Sequence, residues 1–142
     1  MKYDPYTEES ITCDKPIKLF NTFSDVYEIP VVLNNTLKIS FIFDTGASEI
    51  SLTPDVAAVL VRSGTVKESD WLEGKVYKFA DGSTAKSERF IIRRLTIGQY
   101  TLTNVSASIS NSMEAPLLLG QNALKQLGKI SIDYNNNIMC VE

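Results

Sequence analysis

Turn-forming residues are the feature that most constrains the fold of this sequence, because at three places they separate two runs of β-favouring residues. The three turns are Asn34-Asn35 between Val26–Leu33 and Leu37–Phe43, Asp81-Gly82 between Lys75–Ala80 and Ser83–Ile92, and Asn135-Asn136-Asn137 between Ile130–Tyr134 and Ile138–Val141. Each arrangement is typical of a β-hairpin, since Asn, Asp and Gly adopt the backbone angles of tight turns at low cost. The chain is therefore predicted to be mostly β.

The segments between the hairpins add short strands and two helices. The other predicted elements are strands at Glu49–Leu52, Leu95–Gly98 and Tyr100–Ile109, a polar connection at Thr65–Glu73, a short buried run at Pro116–Gly120, and a helix at Gln121–Leu127 ended by Gly128. Pro54 suits the first position of another helix, which would present Val56, Val59 and Leu60 on one face and end at Gly64. Many short strands with two short helices predict an all-β fold with a small, closed β structure.

The length of 142 residues fits one compact domain. We expect that domain to span residues 16–142, with Met1–Lys15 as a loose N-terminal arm. No stretch approaches the roughly 20 apolar residues that cross a bilayer, and the polar first residues do not resemble a secretory signal. We expect a soluble domain. Its compartment stays open, because a signal or an anchor could have been removed.

The residue types that are missing narrow the chemistry. The chain contains no histidine, which excludes Ser-His-Asp and Cys-His nucleophiles and the mixed Cys/His zinc sites. A net charge of -3 gives no basic surface for nucleic acid. Cys13 and Cys140 lie near opposite ends of the chain, and two such isolated cysteines are more often reduced than paired. An enzyme of this composition would depend on carboxylates, lysine, tyrosine or a hard metal.

One segment, Phe41–Ser48, carries a pattern of chemical interest. An apolar run leads directly into Asp44, and Thr45 and Gly46 follow. A carboxylate in apolar surroundings is costly unless it is paired or hydrogen-bonded, and glycine lets another chain approach the backbone closely. Taken alone, the triplet also fits a strand that ends in an Asx turn, with Asp44 binding local amides.

The context of this segment resembles the active-site loop of aspartic proteases. The Ala47-Ser48 ending is similar to the single-domain retropepsin-like branch of retroviruses and bacteria. Three further segments follow in the family's order: a hairpin at Ala80–Ser83 where the flap should lie, two apolar residues and a glycine within Leu117–Gly120, and a closing hairpin at Ile132–Tyr134. The resemblance spans Tyr27–Val141. It implies the acid-protease type of closed β-barrel, as half of a two-fold dimer of a bacterial-type enzyme.

The resemblance implies that Asp44 is catalytic and that the active form is a homodimer. One Asp-Thr-Gly triplet supplies one carboxylate, whereas this chemistry uses two, so Asp44 would meet its symmetry mate on the two-fold axis. Two adjacent carboxylates share one proton; the charged one then activates a water, and the protonated one binds the scissile carbonyl. Such a peptidase acts on a peptide or protein and needs no metal or cofactor.

Roles for the neighbouring residues follow from the same resemblance. Thr45 would reach the partner's loop, and Gly46 would leave room for the two carboxylates. The implied substrate-binding residues are Ala47, Ser48, Phe79, Ala80, Asp81 and Gly82, and the residues implied to pack beneath the loop are Leu118, Leu119 and Gly120. Ser48 stands where viral enzymes often carry a second acid, and Asp81-Gly82 makes a bulkier flap tip than a glycine-rich one.

Other conspicuous residues have structural interpretations. Tyr77 lies in a predicted strand and Trp71 in the predicted connection. Both could line a substrate pocket, but aromatic residues of β proteins are usually core residues. Asp133 fits a turn or strand edge. The arginines of the hairpin strand, Arg89, Arg93 and Arg94, are typical of a solvent face or a protected edge.

Two other functions remain open at this stage. The same dimeric fold could serve as a non-catalytic dimerisation or peptide-binding module, because fold does not imply function. Phosphoryl transfer through an aspartyl-phosphate is the second. It requires Mg²⁺ and further acidic ligands in a parallel α/β sheet, and the sequence lacks the alternating helices of that fold.

Overall fold

The structure is a computed structural model that describes residues 13–22, 25–78 and 80–142. Its first strands are β1 (Ile17–Lys18), β2 (Phe20–Asn21), β3 (Tyr27–Leu33), β4 (Leu37–Phe43) and β5 (Ile50–Leu52), followed by α1 (Pro54–Arg62) and a 3₁₀ turn at Glu68–Asp70. The remaining elements are β6 (Trp71–Lys78), β7 (Thr84–Ile97), β8 (Tyr100–Ile109), β9 (Leu118–Leu119), α2 (Gln121–Leu127), β10 (Ile130–Asp133) and β11 (Ile138–Val141). The mostly β prediction with two short helices is confirmed.

The larger sheet forms a ring of hydrogen-bonded strands. Its order is β2-β3-β4-β9-β5-β8-β7-β6, and β3 also pairs with β7, so that β3, β4, β9, β5, β8 and β7 follow one another around the ring. The short strand β9 runs parallel to β4 and antiparallel to β5. Because β9 lies between them, it joins the strand before Asp44 to the strand after Glu49.

The hairpin turns have the backbone that their residues predicted. Asn34 and Asn35 have φ angles of 49° and 55°, and Asn137 has 52°, a left-handed region that asparagine tolerates better than most residues. The first turn sets the register of β3 against β4, in which Leu33 is opposite Leu37 and Ile29 is opposite Phe41. This register buries Ile29 and Phe41 completely.

The hairpin of β6 and β7 is longer than the sequence indicated. Residues 71–73, expected in a polar connection, begin β6, and β7 continues to Ile97 without a break at Ile92. Trp71 packs on Phe90 with ring centroids 5.3 Å apart, and this contact extends the pairing. Trp71 is nevertheless 39% exposed, so the prediction of a core position is wrong for this residue. The prediction for the Tyr77 side chain lies outside the described residues.

The buried face of α1 differs from the predicted one at one position. Val56, Ala57 and Leu60 are buried, whereas Val59 is 43% exposed. Positions 56, 57 and 60 are neighbours on a helix surface, and residue 59 is turned about 100° away from residue 60. The prediction that Val59 shares the buried face is therefore wrong.

The core fills the ring and includes both helices. Its fully buried large side chains include Phe41, Phe90, Ile29, Leu33, Ile50, Leu52, Leu60, Ile92, Leu95, Ile97 and Leu119. The small sheet, β1-β11-β10, contributes Ile17 and Met139, which lie opposite each other. The core thus supports the chain on both sides of the segment 44–48.

The prediction of reduced cysteines is wrong for this structure. Cys13 and Cys140 form a disulfide, with Cα atoms 5.7 Å apart and a separation of 127 positions in sequence. The pairing of β1 with β11, in which Lys18 is opposite Ile138, brings the start of the described chain beside its end. Cys13 belongs to the predicted N-terminal arm, and residues 1–12 of that arm lie outside the described part.

Candidate active site

The candidate active-site loop, Asp44–Ser48, starts where β4 ends. Phe43 is opposite Leu119 in the parallel pairing with β9, and the Asp44 amide donates to the Leu119 carbonyl at 3.2 Å. Within the loop, the Gly46 amide donates to Asp44 Oδ1 at 2.8 Å, and the Ala47 amide donates to the Asp44 carbonyl at 3.3 Å. Asp44 is half-buried, so its carboxylate is held by the loop and still reaches the surface.

Helix α2 supports the loop from the other side. The amides of Gln121 and Asn122 donate to the carbonyls of Ala47 and Ser48 at 2.8 and 3.1 Å. The Gln121 side-chain amide donates to the Thr45 carbonyl at 2.6 Å. These three bonds join carbonyls within the loop to residues more than 70 positions away, and they fix the backbone that carries Asp44.

Gly120 allows this close approach. A Cβ atom at this position would lie 2.4 Å from the Glu49 carbonyl oxygen and 2.9 Å from that of Ala47. Both neighbours are backbone atoms that a rotamer change cannot move. Glycine is therefore required here for packing, and the buried Leu119 lies directly before it. Leu118 is half-buried and lies between Ile42 and Ser51.

Glu49, the residue after the loop, is a buried acid that sequence reasoning missed. Its side chain is 8% exposed, and its two oxygens accept bonds from Arg89 Nε and Nη2, each at 2.9 Å. The hydroxyl groups of Ser106 and Ser108 also donate to it. Lys75 Nζ lies 3.5 Å away. An acid directly before the buried pattern of Ile50-Ser51-Leu52 was the available signal for this site.

The environment of Glu49 keeps the carboxylate charged. Burial by itself raises the pKa of Glu49. The hydrogen bonds from Arg89, then those from Ser108 and Ser106, and then the charge of Lys75 outweigh this effect. Together they lower the pKa of Glu49 to about 2. The interpretation of Arg89 as a solvent-face or edge residue is therefore wrong, because its guanidinium lies against a buried acid. Glu49 is committed to these partners, which leaves Asp44 as the acid that the loop presents.

The predicted flap tip lies at the end of the β6–β7 hairpin. Ala80, Asp81 and Gly82 are exposed, and Phe79 lies outside the described residues. The Ser83 amide and hydroxyl donate to Asp81 Oδ1 at 2.9 and 2.6 Å, and these bonds lower the pKa of Asp81. Within the part of the chain described here, no hydrogen bond or ion pair joins this tip to residues 44–48.

A cavity of about 390 Å³ lies at the inner side of this hairpin. Lys78, Ala85 and Ser87 line it from the hairpin, and Ser51 and Ser108 line it from β5 and β8. Ser51 is opposite Leu118, which is itself opposite Ile42. The floor of the cavity is thus two strands, or about 10 Å, from the strand that ends at Asp44.

Two other predicted features can be assigned directly. Asp133 accepts bonds from the amides of Asn135 and Asn136, as expected for a turn residue. Arg93 Nε donates to Asp70 Oδ1 at 2.8 Å and thereby joins β7 to the 3₁₀ turn.

In residues 13–22, 25–78 and 80–142, no group of three or more acidic or cysteine side chains is arranged to hold a metal ion. None of the helices described is long and apolar enough to cross a bilayer.

The chain matches a known protein family over most of its length. Residues 29–126 match the family described as "gag-polyprotein putative aspartyl protease". This chain belongs to that aspartyl protease family. The match covers the loop 44–48, the hairpin of β6 and β7, and nearly all of α2. No curated protein matches the chain.

A solved structure with the same fold is a retropepsin-like aspartic protease from Rickettsia conorii. The two chains are 23% identical, with a TM-score of 0.64; the match covers 87% of this chain and 96% of that one. At this identity the likeness shows the fold. The retropepsin-like resemblance and the mostly β, retropepsin-like fold are confirmed, whereas the two-fold dimer stays a prediction. Both the family and the fold are those of aspartic proteases.

Proposed function

We propose that this chain is an aspartic endopeptidase that is active as a homodimer, with Asp44 from each copy forming the catalytic pair. The observation that carries the proposal is a partly exposed Asp44 on a loop held by β9 and α2. Within the loop segment and the residue that follows it, Glu49 is the other acid, and Arg89 engages both its oxygens. A second copy is the natural source of the second catalytic carboxylate.

The proposed reaction is hydrolysis of a peptide bond by water. One Asp44 carboxylate of the pair accepts a proton from the water, and the protonated one donates a hydrogen bond to the scissile carbonyl oxygen. Thr45 is proposed to bind the partner's loop, and Gly46 to leave room for the two acids. Ala47 and Ser48 would line the cleft beside them.

The β6–β7 hairpin is proposed to cover a bound peptide. The proposed contacts on the hairpin are Phe79, Ala80, Asp81 and Gly82. The 390 Å³ cavity beneath the hairpin supports this role, because it offers a concave surface for a substrate side chain. Closure of a hairpin over the substrate would exclude bulk water from the reacting atoms.

Replacing Asp44 by Asn is the direct test. Asn keeps the size of the side chain but cannot accept the proton of the attacking water. We therefore expect D44N to abolish cleavage of a pool of unstructured peptides between pH 3 and 7. Asp133→Asn is the matched control, since Asp133 makes the same local bond to an amide two residues ahead and lies outside the proposed site. D133N is expected to retain kcat. Cleavage that persists in D44N, or a wild type that cleaves nothing in this range, would refute the proposal and favour a non-catalytic module.

The dimer has its own test. Activity per subunit should fall on dilution as the sedimentation coefficient shifts from dimer to monomer, because a lone Asp44 lacks its partner. An active monomer in the ultracentrifuge would contradict the paired mechanism even if D44N is inactive.

A further inference from the structure

Glu49 connects the candidate catalytic loop to the hairpin proposed to cover it. The residue follows Ser48 directly, and Arg89 and Lys75, which bind its carboxylate, lie on β7 and β6. Arg89 Nη1 also donates to the Glu73 carbonyl of β6 at 3.1 Å. One side chain at the end of the loop thus holds both strands of the hairpin near its base.

The same carboxylate is also bound from β8. Ser106 and Ser108 donate to it from that strand, and Asn122 of α2 donates to the carbonyl and hydroxyl oxygens of Ser106 at 2.8 and 3.0 Å. Asn122 is one of the residues whose amides bind the loop. The loop, α2, β8 and the hairpin therefore share one connected set of hydrogen bonds, centred on Glu49.

Stability alone is a weak reason for such a site. A buried ion pair is often no more stabilising than well-packed apolar side chains of the same volume, because the two charges lose their hydration. The two bonds of a planar guanidinium, by contrast, fix distance and orientation together. This arrangement is suited to holding one element at a defined distance and orientation relative to another.

We propose that Glu49 is a positioning residue for catalysis, which sets the position of the Asp44 loop relative to the β6–β7 hairpin through Arg89. The inference rests on the proposed function, since it concerns how that active site is held. Glu49 itself does not touch the reacting atoms in this account. It acts through the backbone of the loop and through the strands of the hairpin.

The chain supplies a matched control on the same strand. Asp70 is 6% exposed and pairs with Arg93 of β7, four residues from Arg89. The Asp70–Arg93 pair joins β7 to the 3₁₀ turn 68–70, and no hydrogen bond or ion pair in the described residues links Asp70 to the loop 44–48. Asp70→Asn therefore removes a similar charge pair without affecting the loop.

The experiment compares Glu49→Gln with Asp70→Asn at equal concentrations of folded protein. We expect E49Q to lower kcat by up to about a hundredfold with little change in KM, as for a displacement of reacting groups by about 1 Å. D70N should stay within about twofold of the wild type. Amide hydrogen exchange in residues 44–48 should accelerate in E49Q and not in D70N, and this readout does not depend on catalysis.

A milder variant keeps the inference testable if E49Q does not fold. Ser106→Ala removes one donor to Glu49 and leaves the Arg89 pair in place, so we expect a smaller fall in kcat with KM retained. Equal kcat values for E49Q and D70N, or unchanged loop exchange in E49Q, would overturn the inference. The proposed function would still stand in that case, because it depends on cleavage by the wild type and its loss in D44N.

Discussion

Two turns in this molecule have the same local design but different surroundings. In the loop 44–48, Asp44 accepts a bond from the amide two residues ahead, and at the hairpin tip Asp81 does the same. The loop is also bound by Leu119, Gln121 and Asn122 from distant parts of the chain, whereas the Asp81 carboxylate is bound by its near neighbour Ser83. Similar Asx turns can thus be held by long-range contacts or lie exposed at the tip of a hairpin.

The difference indicates where each turn can serve the proposed peptidase. A carboxylate that must meet its symmetry mate benefits from a backbone held by long-range contacts, since misplacement lowers the rate. A tip that must open and close over a substrate benefits from local bonds only. The predictions below test this contrast by removing long-range and local restraints in turn.

The longest-range restraint is the disulfide, and its loss should have the largest effect. Cys13→Ser removes a link between residues 127 positions apart, so we expect the free energy of unfolding to fall by about 2–5 kcal/mol. Denaturant unfolding of the oxidised protein measures this. A wild type treated with a thiol reductant is the control and should approach the variant. Identical unfolding midpoints for oxidised wild type and C13S would contradict the prediction.

Gly120→Ala should affect the loop next most strongly. The new Cβ would overlap the Glu49 and Ala47 carbonyl groups, so the loop or α2 must shift, at a cost of about 3 kcal/mol. Gly82→Ala is the matched variant at the tip, where an added Cβ meets no other described residue beyond its chain neighbours within 4 Å and the φ of +90° is unfavourable. Its expected cost is about 1 kcal/mol. If the two variants unfold at the same denaturant concentration, the loop is not the more constrained turn.

Glu49 should make stability depend on acid pH. Its pKa in the folded protein is about 2, against an ordinary value of 4.5, so its contribution is present above pH 4.5 and is lost as pH falls towards 2. We expect this contribution to be on the order of 2 kcal/mol after allowance for solvent screening. Unfolding free energies between pH 6 and 2 should fall less steeply in E49Q. Parallel pH profiles for the two proteins would be inconsistent with the lowered pKa.

The smallest effects should come from single exposed side-chain bonds. Gln121→Ala removes the 2.6 Å bond to the Thr45 carbonyl, and we expect the free energy of unfolding to fall by about 1 kcal/mol together with a lower kcat.

Ser83→Ala removes the hydroxyl that binds Asp81. It should raise the pKa of Asp81 in an NMR titration while changing stability by less than about 0.5 kcal/mol. A larger stability loss in S83A than in Q121A would reverse the contrast.

Local sequence predicted the elements near the site well. The turns at Asn34-Asn35 and Asp81-Gly82, the strand Leu37–Phe43 and the helix Gln121–Leu127 all occur as expected. Each depends on neighbours within a few residues, where hydrophobic spacing and turn chemistry are decisive. The exposure of Val59 was missed because the face of a helix that becomes buried depends on what packs against it.

The contacts that hold the site could not be predicted in this way. Glu49 and Arg89 are 40 residues apart, and they meet because β5 pairs with β8, which in turn pairs with β7 in one register. A shift of one residue in either pairing would place Glu49 and Arg89 on opposite faces of the sheet. The disulfide is a similar case, since the pairing of β1 with β11 brings its two cysteines together.

The sequence by itself determined the mostly β character, the positions of the tight turns and the segment that carries Asp44, because short-range sterics and hydrophobic spacing act within a few residues. Only the tertiary structure decided which of two similar aspartate turns is held on several sides, and that Glu49 is buried against Arg89. These outcomes depend on strand register and close backbone packing at Gly120. Both arise from contacts between residues far apart in the chain, whose free energies are settled only when the whole core is assembled.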